Sequence, residues 1–158
     1  MDPRERLSAT QAQLVSALVD GGTAPPGFDA QRVAVAASAL VRKRARLVRH
    51  AWPSLAASLG EALDERFAAV AATPPPREGG GIADGFALAD ALAADGVLSG
   101  EARVERLLLR AGWRRTRGGA VPRRGAFAGC AVAGPPRRLV LAVRVPGLGT
   151  RLLTLGGG

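Results

Sequence analysis

Apolar residues recur along Asp29–Pro53 at Val33, Ala37, Leu40, Leu47, Val48 and Ala51, the spacing of one face of an α-helix. Asp29 stands where a short carboxylate can cap the first-turn N–H groups. Pro53 ends the segment, because the residue before proline is pushed out of the α region. The same periodicity predicts a helix over 8–19, opened by Ser8 or Thr10 and buried through Leu14, Val15 and Leu18. A short helix over 54–59 follows, then one over 61–72 packing through Leu63, Phe67, Val70 and Ala71. Pro74–Pro76 and Gly79–Gly81 read as a loop that no helix crosses. Asp84 then opens a helix to Ala94 with Phe86, Ala89 and Leu92 inward, and Ser99 caps one to Ala111 through Val104, Leu107 and Leu108.

Beyond Arg114 the period changes from helical to alternating. Leu139, Leu141, Val143 and Val145 point one way, and Val140, Ala142 and Arg144 the other. Pro146–Gly149 makes a turn, residues 151–155 return as a partner strand, and residues 127–132 are a weaker third strand. The pattern therefore predicts a mainly α fold: a helical bundle followed by a small C-terminal antiparallel β-hairpin or three-stranded sheet. The expected divisions are a flexible N-terminus at 1–7, a helical domain at 8–113, a basic linker at 114–120 and a β module at 121–156.

Charge sharpens this division. Residues 1–100 hold 10 Lys/Arg against 11 Asp/Glu, whereas residues 101–158 hold 12 Arg against 2 Glu. Such asymmetry points to an acidic partner, whether nucleic acid, an acidic peptide or an acidic protein face. Only Lys43 is lysine, and with so much Ala and Gly part of the arginine reflects GC-rich codon usage. A single cysteine excludes an internal disulfide. No signal-type segment opens the sequence and no run approaches the ~18 apolar residues of a membrane span, so the expectation is a cytoplasmic protein without a membrane partner.

Candidate chemistry is sparse. His50 and Cys130 are the only soft ligands and fall in different segments, too few for a zinc site and without the geometry of a nucleophile pair. Glu61, Asp64 and Glu65 suit the first turn of a helix. No glycine run has a phosphate-loop context, and the terminal Gly156–Gly158 reads as a loose end. No catalytic residue, metal or cofactor is expected. Arg42, Arg46 and Arg49 fall at i, i+4, i+7 and form one basic stripe, either a solvated face or a binding surface. Arg44 falls near the centre of the apolar face, where a guanidinium needs a carboxylate; Asp64 and Glu65 are the expected partners.

The order of several short motifs carries a resemblance. The basic run Val41–Arg46, Ala51-Trp52-Pro53, Leu59-Gly60, Phe67, the Pro74–Pro76 stop, Asp84-Gly85-Phe86 and the segment Arg103–Trp113 resemble the helical domain of bufferin-type partner proteins. Those proteins accompany multinuclear non-haem iron-dependent oxidases. The tail Val143–Gly149 with Leu153–Gly156 is similar to an actinobacterial module fused behind such an oxidase or encoded beside it. Where that family often has Tyr-Arg-Asn, this chain has Val41-Arg42-Lys43. The resemblance implies a non-catalytic subunit that presents a ribosomally made precursor peptide to the iron enzyme. A DNA-binding regulator using the arginine-rich half is the alternative. For the peptide reading, the expected contacts are the stripe Arg42, Arg46 and Arg49, and Arg144 and Arg151 beside an open edge of the 137–155 hairpin.

Overall fold

A computed structural model describes residues 2–19, 22–71 and 74–156. The helices come first: α1 (Pro3–Val19), α2 (Ala30–Ala51), α3 (Pro53–Leu59), a 3₁₀ turn (Gly60–Ala62), α4 (Leu63–Val70), α5 (Gly80–Ala94) and α6 (Gly100–Gly112). Strands β1 (Trp113–Thr116) and β2 (Gly119–Pro122) form a hairpin. Strands β3 (Phe127–Ala133), β4 (Arg138–Val145) and β5 (Gly149–Gly156) form a second antiparallel sheet in that order.

The expected mainly α fold with one small β end is thereby corrected. Five strands in two separate sheets take up most of residues 113–156, so the chain is an α+β fold with helices first. Residues 114–120 are no linker. They make the β1–β2 hairpin, which is pinned to the preceding segment by Arg77 N to Gly118 O at 2.8 Å and Ala120 N to Glu78 O at 3.1 Å. A Cβ on Gly119 would lie 2.1 Å from the Glu78 carbonyl, so this approach requires glycine. Nor is the start loose up to Leu7, since α1 already begins at Pro3.

Local signals account for several helix ends. The Asp29 carboxylate accepts from Gln31 N at 2.9 Å and Arg32 N at 3.3 Å, and Ser99 Oγ accepts from Ala102 N at 3.2 Å. Pro53 both stops α2 and opens α3 from its first position. The glycines before Asp84 behave differently from expectation. Gly80 and Gly81 start α5, and Asp84 lies inside the helix, buried, rather than at its cap. The reason is close packing. A Cβ on Gly81 would lie 2.5 Å from the Leu47 carbonyl of α2, and one on Gly85 would lie 2.0 Å from Trp52 Nε1. The pair at i, i+4 gives α5 a smooth face against α2 and its C-cap.

The main core lies between these helices. Trp52, Leu55, Leu63, Phe67, Phe86 and Leu88 are fully buried, with Trp52 and Phe86 edge-to-face at 5.0 Å. Trp52 Nε1 donates to the Ile82 carbonyl at 3.3 Å. Ala120 of the first hairpin closes this core. A smaller core joins α6 to the second sheet through Leu107, Ala111, Val140 and Ala142.

Candidate peptide and partner interface

The buried line of α2 is Val33, Ala45 and Val48, leading into Trp52, so Leu40 and Leu47 stay 40% and 48% exposed. Arg44 lies on that inner line, as its phase suggested, but its carboxylate is Asp84. Nη2 donates to Oδ1 at 2.7 Å and Nε to Oδ2 at 3.0 Å, a fork-to-fork pair with Asp84 almost fully buried. Phe67 lies under the guanidinium, 5.5 Å from its ring centre. The expected partners Asp64 and Glu65 are both exposed on α4. Asp64 instead accepts from Arg49 at 3.0 Å, and Glu65 makes no ion pair among the described residues. One member of the α2 stripe is thus engaged with α4, while Arg42 and Arg46 are exposed and form no ion pair among the described residues.

A second buried carboxylate organises the helices. Glu105 of α6 accepts from Ser54 N at 2.9 Å and Leu55 N at 2.8 Å. It replaces the missing side-chain cap of α3, whose N-cap position is Trp52. The negative charge also suits the positive end of the α3 dipole.

On the sheet, Arg144 and Arg151 separate. Arg144 sits on the central strand β4, opposite Phe127 and Thr150, half-buried on the side that packs against α6. It is therefore not an edge residue. Arg151 lies on β5, opposite Val143 and exposed, on the other face. The 137–155 hairpin has one edge taken by β3, so the open edges of the sheet are β3 and β5. Every β5 residue from Thr150 to Gly156 is exposed.

Sequence reasoning missed an arginine cluster on α6. Arg103, Arg106 and Arg110 fall at i, i+3, i+7 and line a groove of about 280 Å³ along β3 at Phe127–Ala131. On the neighbouring side, Asp90 of α5 accepts from both Arg106 and Arg115. Arg123 Nε donates to the Arg110 carbonyl at 2.9 Å, and its guanidinium lies 5.0 Å from the Phe127 ring centre. The helical spacing of Arg103, Arg106 and Arg110 was the available signal. His50 is exposed in the last turn of α2, and Cys130 is exposed on β3.

The geometry defines an α+β module, helices first, with arginine-lined surfaces along α2 and between α6 and the second sheet. A family model described as the SCO6045-like, C-terminal domain matches residues 8–94, more than half of the chain, and the chain belongs to that family. The match spans most of α1 and all of α2–α5, with the Arg44–Asp84 pair; α6 and all five strands lie beyond it. A UPF0276 protein of Streptomyces avermitilis is 49% identical over 61 residues, which are 38% of this chain and 12% of that protein. The chain thus matches only a small part of the relative's length. No solved structure matches. No helix among the described residues is long and apolar enough to cross a membrane.

Proposed function

We propose that the chain is a non-catalytic partner subunit that binds a ribosomally made precursor peptide and presents it to a multinuclear non-haem iron oxidase encoded nearby. The observation that carries this reading is the open edge of β5, exposed from Thr150 to Gly156, in the half of the chain where arginine dominates. An extended, acidic precursor gains main-chain hydrogen bonds there, and Arg151 supplies a charge beside it. The arginine groove along β3 offers the same combination at the opposite edge. The Streptomyces relative holds its matching stretch within a much longer chain, which supports a module that works beside a larger protein. Arg42 and Arg46 of the α2 stripe are then surfaces for the oxidase.

Strand addition has a specific mutational signature. Successive N–H groups of an edge strand alternate between the neighbouring strand and solvent. Of Leu152→Pro and Leu153→Pro, one therefore breaks a β4–β5 hydrogen bond and the other removes only an outward donor. Titration calorimetry with a synthetic precursor peptide is expected to show binding abolished in the outward variant, with the unfolding transition of the helices unchanged. Arg151→Glu is expected to weaken binding by about three- to tenfold. Equal binding by both proline variants and the parent would place the site elsewhere.

The arginine-rich half also favours DNA as a ligand. In that case affinity for duplex falls steeply with salt, by a log–log slope of about −0.9 per phosphate contacted. A sequence-specific mobility shift that survives ~150 mM salt supports the regulator reading and counts against the peptide reading.

A further inference from the structure

The sheet has two faces, and only one has a partner within the chain. Val140 and Ala142 turn inward onto α6. The opposite face is built from cross-strand rows: Val132, Leu139 and Leu155 form one, Leu141 and Leu153 another, and Val143 stands beside Arg151. Val132, Val143, Leu153 and Leu155 are 40–60% exposed. A three-stranded sheet of seven- and eight-residue strands spaced about 4.8 Å apart presents a face of about 400 Å². Its apolar part comprises four exposed residues beside the half-buried Leu139 and Leu141, and such a patch next to charge left unpaired among the described residues is a candidate interaction site.

Charge identifies the occupant. From Arg106 to the end of the chain there are 11 Arg and no Asp or Glu. Arg151 stands on the face itself, and Arg137 adjoins its Val132–Leu139–Leu155 end. Neither makes an ion pair among the described residues. A second copy of the chain would bring the same sign of charge against itself. A membrane surface is matched by aromatic residues at the interface, and this face carries none. Even the whole face, at about 400 Å², is half of the roughly 800 Å² per partner of a standard protein interface, so its occupant also engages the arginine rim.

We infer that the outer face of β3–β4–β5 docks an amphipathic helix of a partner protein, with an apolar stripe on the leucines and acidic flanks on the arginines. The helix completes a three-layer arrangement in which α6 covers β3 and β4 on one side of the sheet and the partner covers the other. This docking surface shares Arg151 with the β5 edge but uses the side chains of the face and not the outward N–H groups of the strand, and it holds whether or not the partner is an oxidase.

The test uses the full chain and a synthetic peptide of about 18 residues, which as a helix matches the roughly 27 Å length of an eight-residue strand. Its ends are acetylated and amidated, one face is leucine, and the flanks are glutamate. Fluorescence anisotropy at ~150 mM salt is expected to show saturable micromolar binding. A peptide with lysine flanks is expected to bind about tenfold more weakly or worse. Leu141→Thr, which keeps a strand-compatible side chain, and Leu153→Glu are each expected to weaken binding by about tenfold with the unfolding transition retained. Absent binding, equal binding of both peptides, or binding unaffected by Leu141→Thr overturns the inference. So does light scattering that finds a dimer dissolved by Leu153→Glu, which assigns the face to a second copy. Leucine-dependent sedimentation with anionic vesicles also overturns it and assigns the face to a membrane.

Discussion

Arg44→Ala is expected to destabilise the chain by about 3–5 kcal/mol, the range for removing one partner of a buried ion pair. The variant leaves the Asp84 carboxylate, with 4% of its side chain exposed, without the guanidinium that meets both of its oxygens. It also removes the cation over Phe67, at the centre of the main core. Asp84→Ala is expected to lose less, because 15% of the Arg44 side chain reaches the surface and water can solvate part of the guanidinium. The double variant is expected to lose less than the two single losses added together, by about 0.5–3 kcal/mol. Urea unfolding of the four proteins measures this directly. Additive losses would mean that the two groups stabilise the fold independently. An unchanged transition in Arg44→Ala would mean that the pair contributes nothing net.

Glu105→Ala is expected to lose about 2–4 kcal/mol, through two charge-assisted hydrogen bonds to the start of α3. The Ser54 and Leu55 amides would lack acceptors, and Leu55 is fully buried, so water cannot readily replace the carboxylate there. Glu105→Gln keeps an acceptor but adds an NH₂ donor toward N–H groups, and should fall between the parent and alanine. Hydrogen exchange locates the effect: the Ser54 and Leu55 amides should lose protection before the α2 and α5 amides do. Uniform loss across all helices would show that Glu105 holds the fold as a whole instead of capping α3.

These two carboxylates mark where the sequence was legible and where it was not. Caps next to their helices were readable, because Asp29 and Ser99 act within three residues. The alternation from Leu139 to Val145 gave the strand and its two faces, since period two needs no tertiary information. The helical phase turns Arg44 inward, but its partner lies 40 residues on, and Asp84 before an apolar run looks like an N-cap. Glu105 lies 50 residues from the amide it caps, with no local trace of that role. Gly79–Gly81 read as a breaker because glycine has two uses. Here Gly81 and Gly85 serve close approach to α2 and Trp52 rather than chain reversal. Arg114–Arg117 read as linker because charge hid a four-residue strand whose only half-buried residues are Trp113 and Thr116. The arginine groove formed by α6 and β3 required knowing that those elements pack together.

We propose that this module works by holding a peptide against a larger enzyme. Its most direct test is size-exclusion chromatography with light scattering of the full chain, co-expressed with the multinuclear non-haem iron oxidase proposed as its partner, in the presence and absence of the precursor peptide. The account predicts a stoichiometric complex that contains all three components, and loss of the peptide alone in the outward proline variant of β5. Separate elution of chain and oxidase under both conditions, with the precursor bound to neither or to the oxidase only, would contradict it.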